Sequence, residues 1–390
     1  MDSTLWPKVI LKKGKEKSVL RQHPWVFSGA VFGVTEPLVD GAWVQVVDAD
    51  NRVLGCGYFS DRGSITVRML HFGASPLASD FWRHKLEAAW QMRLTCIDLN
   101  HTNAFRVVHG EGDGMPGLII DYYNQHWVLQ AHAQGILDSL PQIAEAIVQA
   151  FPNHCTGIYA KNSGTLPGSQ DRFYKGETHE TIALENGLQF KVNWVEGQKT
   201  GFFLDQRDNR QLLGKYAHGR MVLNTFCYTG GFSVYAAQAG AKLVTSVDIS
   251  AKAVDLAADN MTLNFPVAPH HTVASDVFDF MRNHAQQYDL IVLDPPAFAK
   301  SIKSKHTATQ AYKRLNVAGL KALAPQGILF TFSCSQVIDD VLFYNTVAAA
   351  AMESGRNVRV LHKLSQGPDH PTHMSHPEGH YLKGLVLYVE

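Results

Sequence analysis

The spacing of apolar residues changes character twice along this chain. Residues 1 to about 73 alternate apolar and polar positions in short runs broken by turns, the pattern of half-buried strands. The stretch "AWVQVVDADNRVLGCGYF" alternates, turns at Asp48-Ala49-Asp50-Asn51 and alternates again, which predicts a hairpin; "SITVRML" (Ser64–Leu70) supplies another strand. From Ser79 to about Leu99 the period lengthens, with Phe81, Leu86, Ala89, Trp90 and Leu94 on one side of a predicted helix and Asp80 near its start. Strands are predicted at 105–109, 118–123, 127–131 and 157–161 and a helix near 136–150, so residues 74–180 read as a central α+β domain. The polar, Gly/Pro-bearing segment Leu166 to Glu180 reads as a linker. An Asn186-Gly187 hairpin then opens a third region, 181–390. There, predicted strands at 221–224, 243–248, 271–274, 290–294, 328–333, 358–363 and 382–388 mostly alternate with helices. This alternation predicts an α/β, Rossmann-like doubly wound sheet with its ligand site at the carboxyl ends of the strands.

Composition narrows the classes. A length of 390 residues accommodates roughly two to three domains. A hydrophobic content of 45% is ample for large cores and excludes disorder. The opening residues "MDSTLWPKVILKKGKEKS" carry charges throughout and lack the apolar core of a signal peptide, and no run reads as a membrane span. Cys56, Cys96, Cys155, Cys227 and Cys334 are scattered with no C-x-x-C pair, which predicts reduced thiols, a cytoplasmic location and no metal centre.

The formal net charge is zero, which argues against a nucleic-acid partner until its distribution is considered. Lys8, Lys12, Lys13, Lys15, Lys17 and Arg21 face a single acid, Glu16. Lys300, Lys303, Lys305, Lys313, Arg314 and Lys321 fall between Asp294 and Asp339 with no acid among them. Each is a candidate phosphate-binding surface, the second as an acid-free rim around a reactive site.

The chemistry concentrates in three motifs. "VLNTFCYTGGFS" (Val222–Ser233) has the strand, glycine turn and helix start of a nucleotide-type cofactor site, and Asp248, at the end of the next strand, stands where a carboxylate binds ribose hydroxyls. The loop is not G-x-G-x-x-G, and Ser275-Asp276 follows the third strand; both favour S-adenosylmethionine over a nicotinamide dinucleotide. "VLDPPAF" (Val292–Phe298) ends the fourth strand in a rigid turn whose Asp294 can hydrogen-bond a base edge. "LFTFSCSQ" (Leu329–Gln336) ends the fifth in a thiol, Cys334, expected beside the Asp294 strand and just ahead of a helix whose N–H groups, with nearby lysines, favour thiolate. A thiolate adding to pyrimidine C6 makes C5 nucleophilic enough to accept a methyl group. The base must be unstacked to be reached.

Together the stretches "LKKGKEKSVLRQHPWVFSGAV", "GEGDGMPGLIIDYY", "KTGFFLDQRDNR", "NTFCYTGGFSVYAA", "VDIS", "DPPAF", "FSCS" and "HPEGHYLKG" resemble, over essentially the whole chain, the bacterial 23S ribosomal RNA cytosine-5 methyltransferases with an N-terminal PUA domain. The resemblance implies a PUA-like RNA-binding β-barrel over 1–73, the central domain over 74–180 and a methyltransferase domain over 181–390. It makes Cys334 the nucleophile with Asp294 assisting. Phe203, Asp205 and Gln206 would lie near the cofactor and Thr225, Tyr228 and Gly230 would line its methionine end. Asp248 with Ile249 would bind the ribose, and Asp276 with Val277 would flank the adenine. It further implies a 23S ribosomal RNA partner and admits a homodimer. "DPPAF" lacks the second cysteine of the two-cysteine RNA cytosine methyltransferases, so the base that removes the C5 proton is unassigned. The alternatives are methylation at another position, guanine N7 or an amino group, without a covalent step, and a non-catalytic ribosome-assembly protein.

Overall fold

The computed structural model describes residues 6–299 and 301–390, apart from the side chain of residue 302. They pack into two compact units. One comprises the chain up to Ala183 with Val192–Phe202 and Pro368–Gly379; the other comprises Leu184–Lys191, Phe203–Gly367 and His380–Glu390. Among the described residues no helix is long and apolar enough to cross a membrane.

The first unit begins with six strands, β1 (Lys8–Leu11), β2 (Trp25–Phe27), β3 (Val31–Val34), β4 (Trp43–Val47), β5 (Val53–Phe59) and β6 (Ile65–Phe72), and a single-turn helix α1 (Lys17–Leu20). They form one sheet in the order β2-β6-β5-β4-β1-β3 around Val9, Leu11, Val26, Val44, Val46, Val67 and Met69. The predicted hairpin is β4–β5. Its turn forms because one oxygen of Asp48 accepts the backbone N–H of both Asp50 and Arg52, at 2.9 Å each, while Asn51 adopts a left-handed conformation.

Helix α2 (Phe81–Leu94), strands β7 (Ala104–His109), β8 (Leu118–Tyr123) and β9 (His126–Ala131), helix α3 (Gln134–Ala150), and strands β10 (Gly157–Ala160) and β11 (Arg172–Lys175) complete this unit's second sheet, ordered β11-β10-β9-β8-β7. Trp90 of α2 anchors the core, its ring 5.2 Å from Tyr122 and 5.5 Å from Trp127. Strand β11 corrects the linker expected over Leu166 to Glu180. Asp171 accepts the N–H groups of Asn162 and Ser163 at 2.8 and 2.7 Å and the Tyr159 hydroxyl at 2.9 Å, which folds the segment back onto β10.

The Asn186-Gly187 hairpin is β12 (Glu180–Glu185) and β13 (Leu188–Asn193), with positive φ at both turn residues as a two-residue turn requires. The division between the units runs through it, so no linear cut at one residue reproduces the units.

The second unit holds α4 (Arg207–Ala217), β14 (Met221–Thr225), α5 (Gly231–Gln238), β15 (Leu243–Asp248), α6 (Ala251–Asn264), β16 (His270–Ala274), α7 (Val277–Asn283), β17 (Tyr288–Leu293), α8 (Lys305–Ala322), β18 (Leu323–Ser333), α9 (Asp340–Ser354), β19 (Val358–Leu364) and β20 (Lys383–Val389). Its seven-stranded sheet runs β16-β15-β14-β17-β18-β20-β19, parallel except for β20, which is antiparallel to both neighbours. The strands read as unbroken apolar runs because both faces are covered. Val222, Leu290, Val292, Phe330 and Val386 pack with Leu213, Phe232 and Ala236 on one side. Leu223, Ile291, Leu293, Leu329 and Leu385 pack with Leu315, Leu320 and Phe343 on the other. The strand order reverses between β14 and β17, where an open α/β sheet leaves its crevice.

Candidate active site

The glycine turn begins where β14 ends. Phe226, Tyr228 and Gly230 all have positive φ, so the loop makes a sharp, left-handed series of turns before α5. Two cross-links hold it: the Tyr228 N–H donates to Asp248 Oδ2 at 3.1 Å, and Asn260 Nδ2 donates to the Thr229 carbonyl at 2.9 Å. The other Asp248 oxygen accepts the Ser250 N–H at 3.0 Å. The glycines serve packing as much as ligand approach. A Cβ on Gly230 would lie 2.8 Å from Ala257 Cβ, and one on Gly231 would lie 2.9 Å from Arg210 Cδ.

Beside Asp248, Ile249 is 78% exposed, an apolar surface at the rim of the crevice. Asp276 caps α7: one oxygen accepts the N–H of Phe278 and of Asp279, at 2.8 and 3.0 Å. Val277 is buried in the core, so its side chain does not face the crevice. Thr225 is likewise fully buried, its hydroxyl donating to the Val292 carbonyl at 2.6 Å, which pins β14 to β17.

The segment "GFFLDQRDNR" meets the glycine loop through Phe203, whose ring stands edge-on to Tyr228 at 5.2 Å. Gln206 turns away toward the D-P-P turn, its Nε2 donating to Asp294 Oδ2 at 3.0 Å while its Oε1 accepts from Asn209 Nδ2 at 2.7 Å. This relay orients the Asp294 carboxylate. Asp205 accepts the Tyr381 hydroxyl at 2.7 Å. Behind them Arg210 forms a fully buried, bidentate pair with Glu185 at 2.8 and 2.6 Å and donates to the Phe203 carbonyl at 2.9 Å. Burial opposes the Arg210 charge, but Glu185 outweighs it and holds the guanidinium protonated. Asn209, Arg210 and Glu185 escape sequence reasoning because their roles depend on a partner distant in the chain.

The D-P-P and thiol motifs do adjoin. Leu293 pairs with Thr331 across β17 and β18, and Asp294 and Cys334 follow the ends of those strands. Ser335 ties the two loops together. Its hydroxyl accepts the Ala299 N–H at 3.4 Å and lies 3.0 Å from the hydroxyl of Tyr312, whose ring packs on Phe298 at 4.7 Å. Cys334 is half-buried.

Two expectations about its surroundings need correction. The helix after the thiol starts only at Asp340, six residues further on, and Asp339 already caps it by accepting the Leu342 N–H at 2.8 Å. Nor is the lysine rim acid-free in space, because α9 and its cap supply acids. Lys305 lies 3.7 Å from Asp339 and Lys313 lies 2.6 Å from Glu353. Lys303 and Arg314 are exposed; Lys300 lies outside the described residues. In the first unit Lys12, Lys13, Lys15, Lys17 and Arg21 are all exposed. Among the described residues, a cation that sequence reasoning passed over lies at the thiol turn. Lys383, in the quoted "HPEGHYLKG" motif, is 3% exposed and donates to the Ser335 and Tyr381 carbonyls at 2.8 and 2.6 Å.

Comparison with known proteins gives the family and the fold. Residues 135–379 match the S-adenosylmethionine-dependent methyltransferase family, and residues 9–72 match a PUA-like domain. Ribosomal RNA large subunit methyltransferase I of Tolumonas auensis is 38% identical over 97% of this chain and 98% of its own length. The Aeromonas hydrophila protein of the same name is 39% identical with the same coverage. Two solved structures of proteins assigned as methyltransferases, one from Streptococcus mutans and one complexed with SAH, superpose with TM-scores of 0.83 and 0.84, each at 25% identity over 98% of this chain and 99% of that one.

Proposed function

The chain belongs to the family of S-adenosylmethionine-dependent methyltransferases that includes the ribosomal RNA large subunit methyltransferases I, and on that premise we propose that it forms 5-methylcytosine in 23S ribosomal RNA through a covalent adduct of Cys334. The observation that supports this reading is that Asp294 and Cys334 follow the ends of the paired strands β17 and β18, with Ser335 bonded to the Ala299 N–H and the Tyr312 hydroxyl between the two loops.

The crevice fits the cofactor. Asp248 offers a carboxylate at the end of β15, Ile249 an exposed apolar face beside it, and Asp276 a second acid at the end of β16. Phe203 and Tyr228 would border the methionine end with Gly230, and Asp205 is held near them on the same segment as Phe203. When bound, S-adenosylmethionine supplies an electrophilic methyl group.

The protein's own part falls to two side chains. The Cys334 thiolate forms a bond to C6 of an unstacked cytosine, shifting electron density to C5, which makes that carbon nucleophilic. Asp294, oriented by Gln206, hydrogen-bonds the ring edge where charge shifts during addition. Loss of the C5 proton and departure of the thiolate restore the ring. The exposed lysines of the PUA-like domain, with Lys303 and Arg314 of the second unit, would bind RNA phosphates.

Mass-spectrometric mapping of ribosomal RNA methylated by the purified enzyme tests this. The expected product is 5-methylcytosine in 23S RNA, absent with Cys334→Ala. A methyl group on another base, or full methylation by Cys334→Ala, overturns it.

A further inference from the structure

A lysine removed from water is costly unless an anion compensates it. Lys383 is 3% exposed, and the two groups its ammonium bonds are neutral carbonyls. Burial lowers its proton affinity below the usual lysine range, and the charges of Asp340, then Cys334 and Asp339, offset that only in part. The two carboxylates have partners of their own: Asp340 lies 3.1 Å from His380, and Asp339 lies 3.7 Å from Lys305 besides capping α9.

The position of Lys383 follows from the sheet. As the first residue of β20 it is the direct cross-strand partner of Ser333, the last residue of β18 and the one before Cys334. Its side chain runs past that strand end to grip the carbonyl of Ser335, the residue after the thiol. It therefore clasps the Cys334 turn from both sides. Tyr312, on α8, feels the same thiol: a charge on Cys334 adds to burial in raising the phenol's proton affinity.

We infer that Lys383 is the positioning residue that fixes the Cys334 turn and, as its buried counter-ion, keeps Cys334 as thiolate, the thiol proton passing to solvent. This rests on the reading of Cys334 as the nucleophile. Lys383 acts through the thiol and touches no reacting atom of the base.

Iodoacetamide alkylation of the full-length protein between pH 6.5 and 9.5, read peptide by peptide, provides the test. Exposed Cys96 serves as the internal reference. In the wild type the midpoint for Cys334 should lie at least one pH unit below that of Cys96. Lys383→Met should raise the Cys334 midpoint by at least a unit, a tenfold slower alkylation at pH 7, and leave Cys96 unmoved. Lys383→Arg should restore most of the difference. Equal midpoints for the two thiols in the wild type overturn the inference without any variant having to fold. So does an unchanged Cys334 profile in folded Lys383→Met or, should that variant not fold, in Lys383→Gln. The outcome is separable from the nucleophile reading. A shifted profile alongside full methylation by Cys334→Ala would keep the ion pair and discard the covalent step; the reverse pattern would keep the step and discard the pair.

Discussion

Cys227 and Cys334 occupy almost equivalent places, just past the ends of β14 and β18 in one sheet, yet their surroundings are opposite in charge. Cys227 is 6% exposed, packed on Val254 and Ala257. Burial first, and the negative charge of Asp248 second, push its thiol far above the usual range. Cys334 is half-buried, and the ammonium of Lys383 bonds the carbonyl of the next residue, Ser335, at 2.8 Å. A strand-end position is therefore insufficient to make a cysteine reactive; depth of burial comes first and the sign of the neighbouring charge second.

The largest effect that can break this contrast comes from deleting each sulfur. Cys334→Ala should slow RNA methylation by at least about a thousandfold, as expected for a lost nucleophile, while Cys227→Ala stays within about fivefold. Comparable losses in a single-turnover assay would abolish the distinction.

The contrast holds only while the sheet carrying both thiols is folded, and His270 limits that range. Burial, aided by the charge of His271, lowers this histidine from 6.5 to about 4, with its Nε2 2.8 Å from the Ser246 hydroxyl. Between those values the unfolded chain binds a proton that the folded chain refuses. Stability is therefore complete above pH 6.5 and drains away as pH falls toward 4, by up to about 3 kcal/mol. Urea titrations at pH 7.5, 5.5 and 4.5 should show this fall, and His270→Gln should flatten it.

Asp248 offers a subtler probe, because it bonds the Tyr228 N–H of the glycine loop and its charge acts on Cys227. Asp248→Asn should weaken SAH binding at least tenfold by calorimetry, about 1.4 kcal/mol or more. It should leave Cys227 resistant to alkylation, since burial remains. A Cys227 that becomes reactive would show that charge, not burial, silences it.

The smallest effect concerns the rim. Arg314→Ala should weaken RNA binding about threefold and lower the salt dependence by about one phosphate contact, whereas Lys313→Ala, already paired with Glu353, should change it less than twofold. Filter binding across a salt series distinguishes them.

Sequence reasoning succeeded where burial is symmetric. The central strands of the second unit are covered on both faces, so they appear as apolar runs, and β14, β15, β17 and the end of β18 fall within a few residues of their predicted positions. It also placed Asp294 and Cys334 on adjacent strands, since a doubly wound order makes the fourth and fifth strands neighbours. It failed where partners come from far along the chain. The acids beside Lys305 and Lys313 belong to the cap of α9 and to α9 itself, invisible in a run that contains no acid. Glycines that suggest ligand approach turn out to be required by Ala257 and Arg210. Lys383 was legible as a motif residue, but its meaning depended on knowing that β20 slots antiparallel beside β18.

That reversed strand has a consequence for how the protein comes to hold its reactive group. Because β20 runs against β18, Ser333 and Lys383 meet across a separation of some fifty residues, so the buried ammonium reaches the Cys334 turn only when the carboxyl-terminal strand is in the sheet. On the inference drawn above, a chain whose last strand is not yet docked would carry Cys334 as an ordinary thiol, slow to react with oxidants or stray electrophiles. The sheet would thus work as a safety catch, arming the proposed nucleophile only in a molecule whose carboxyl-terminal strand is in place.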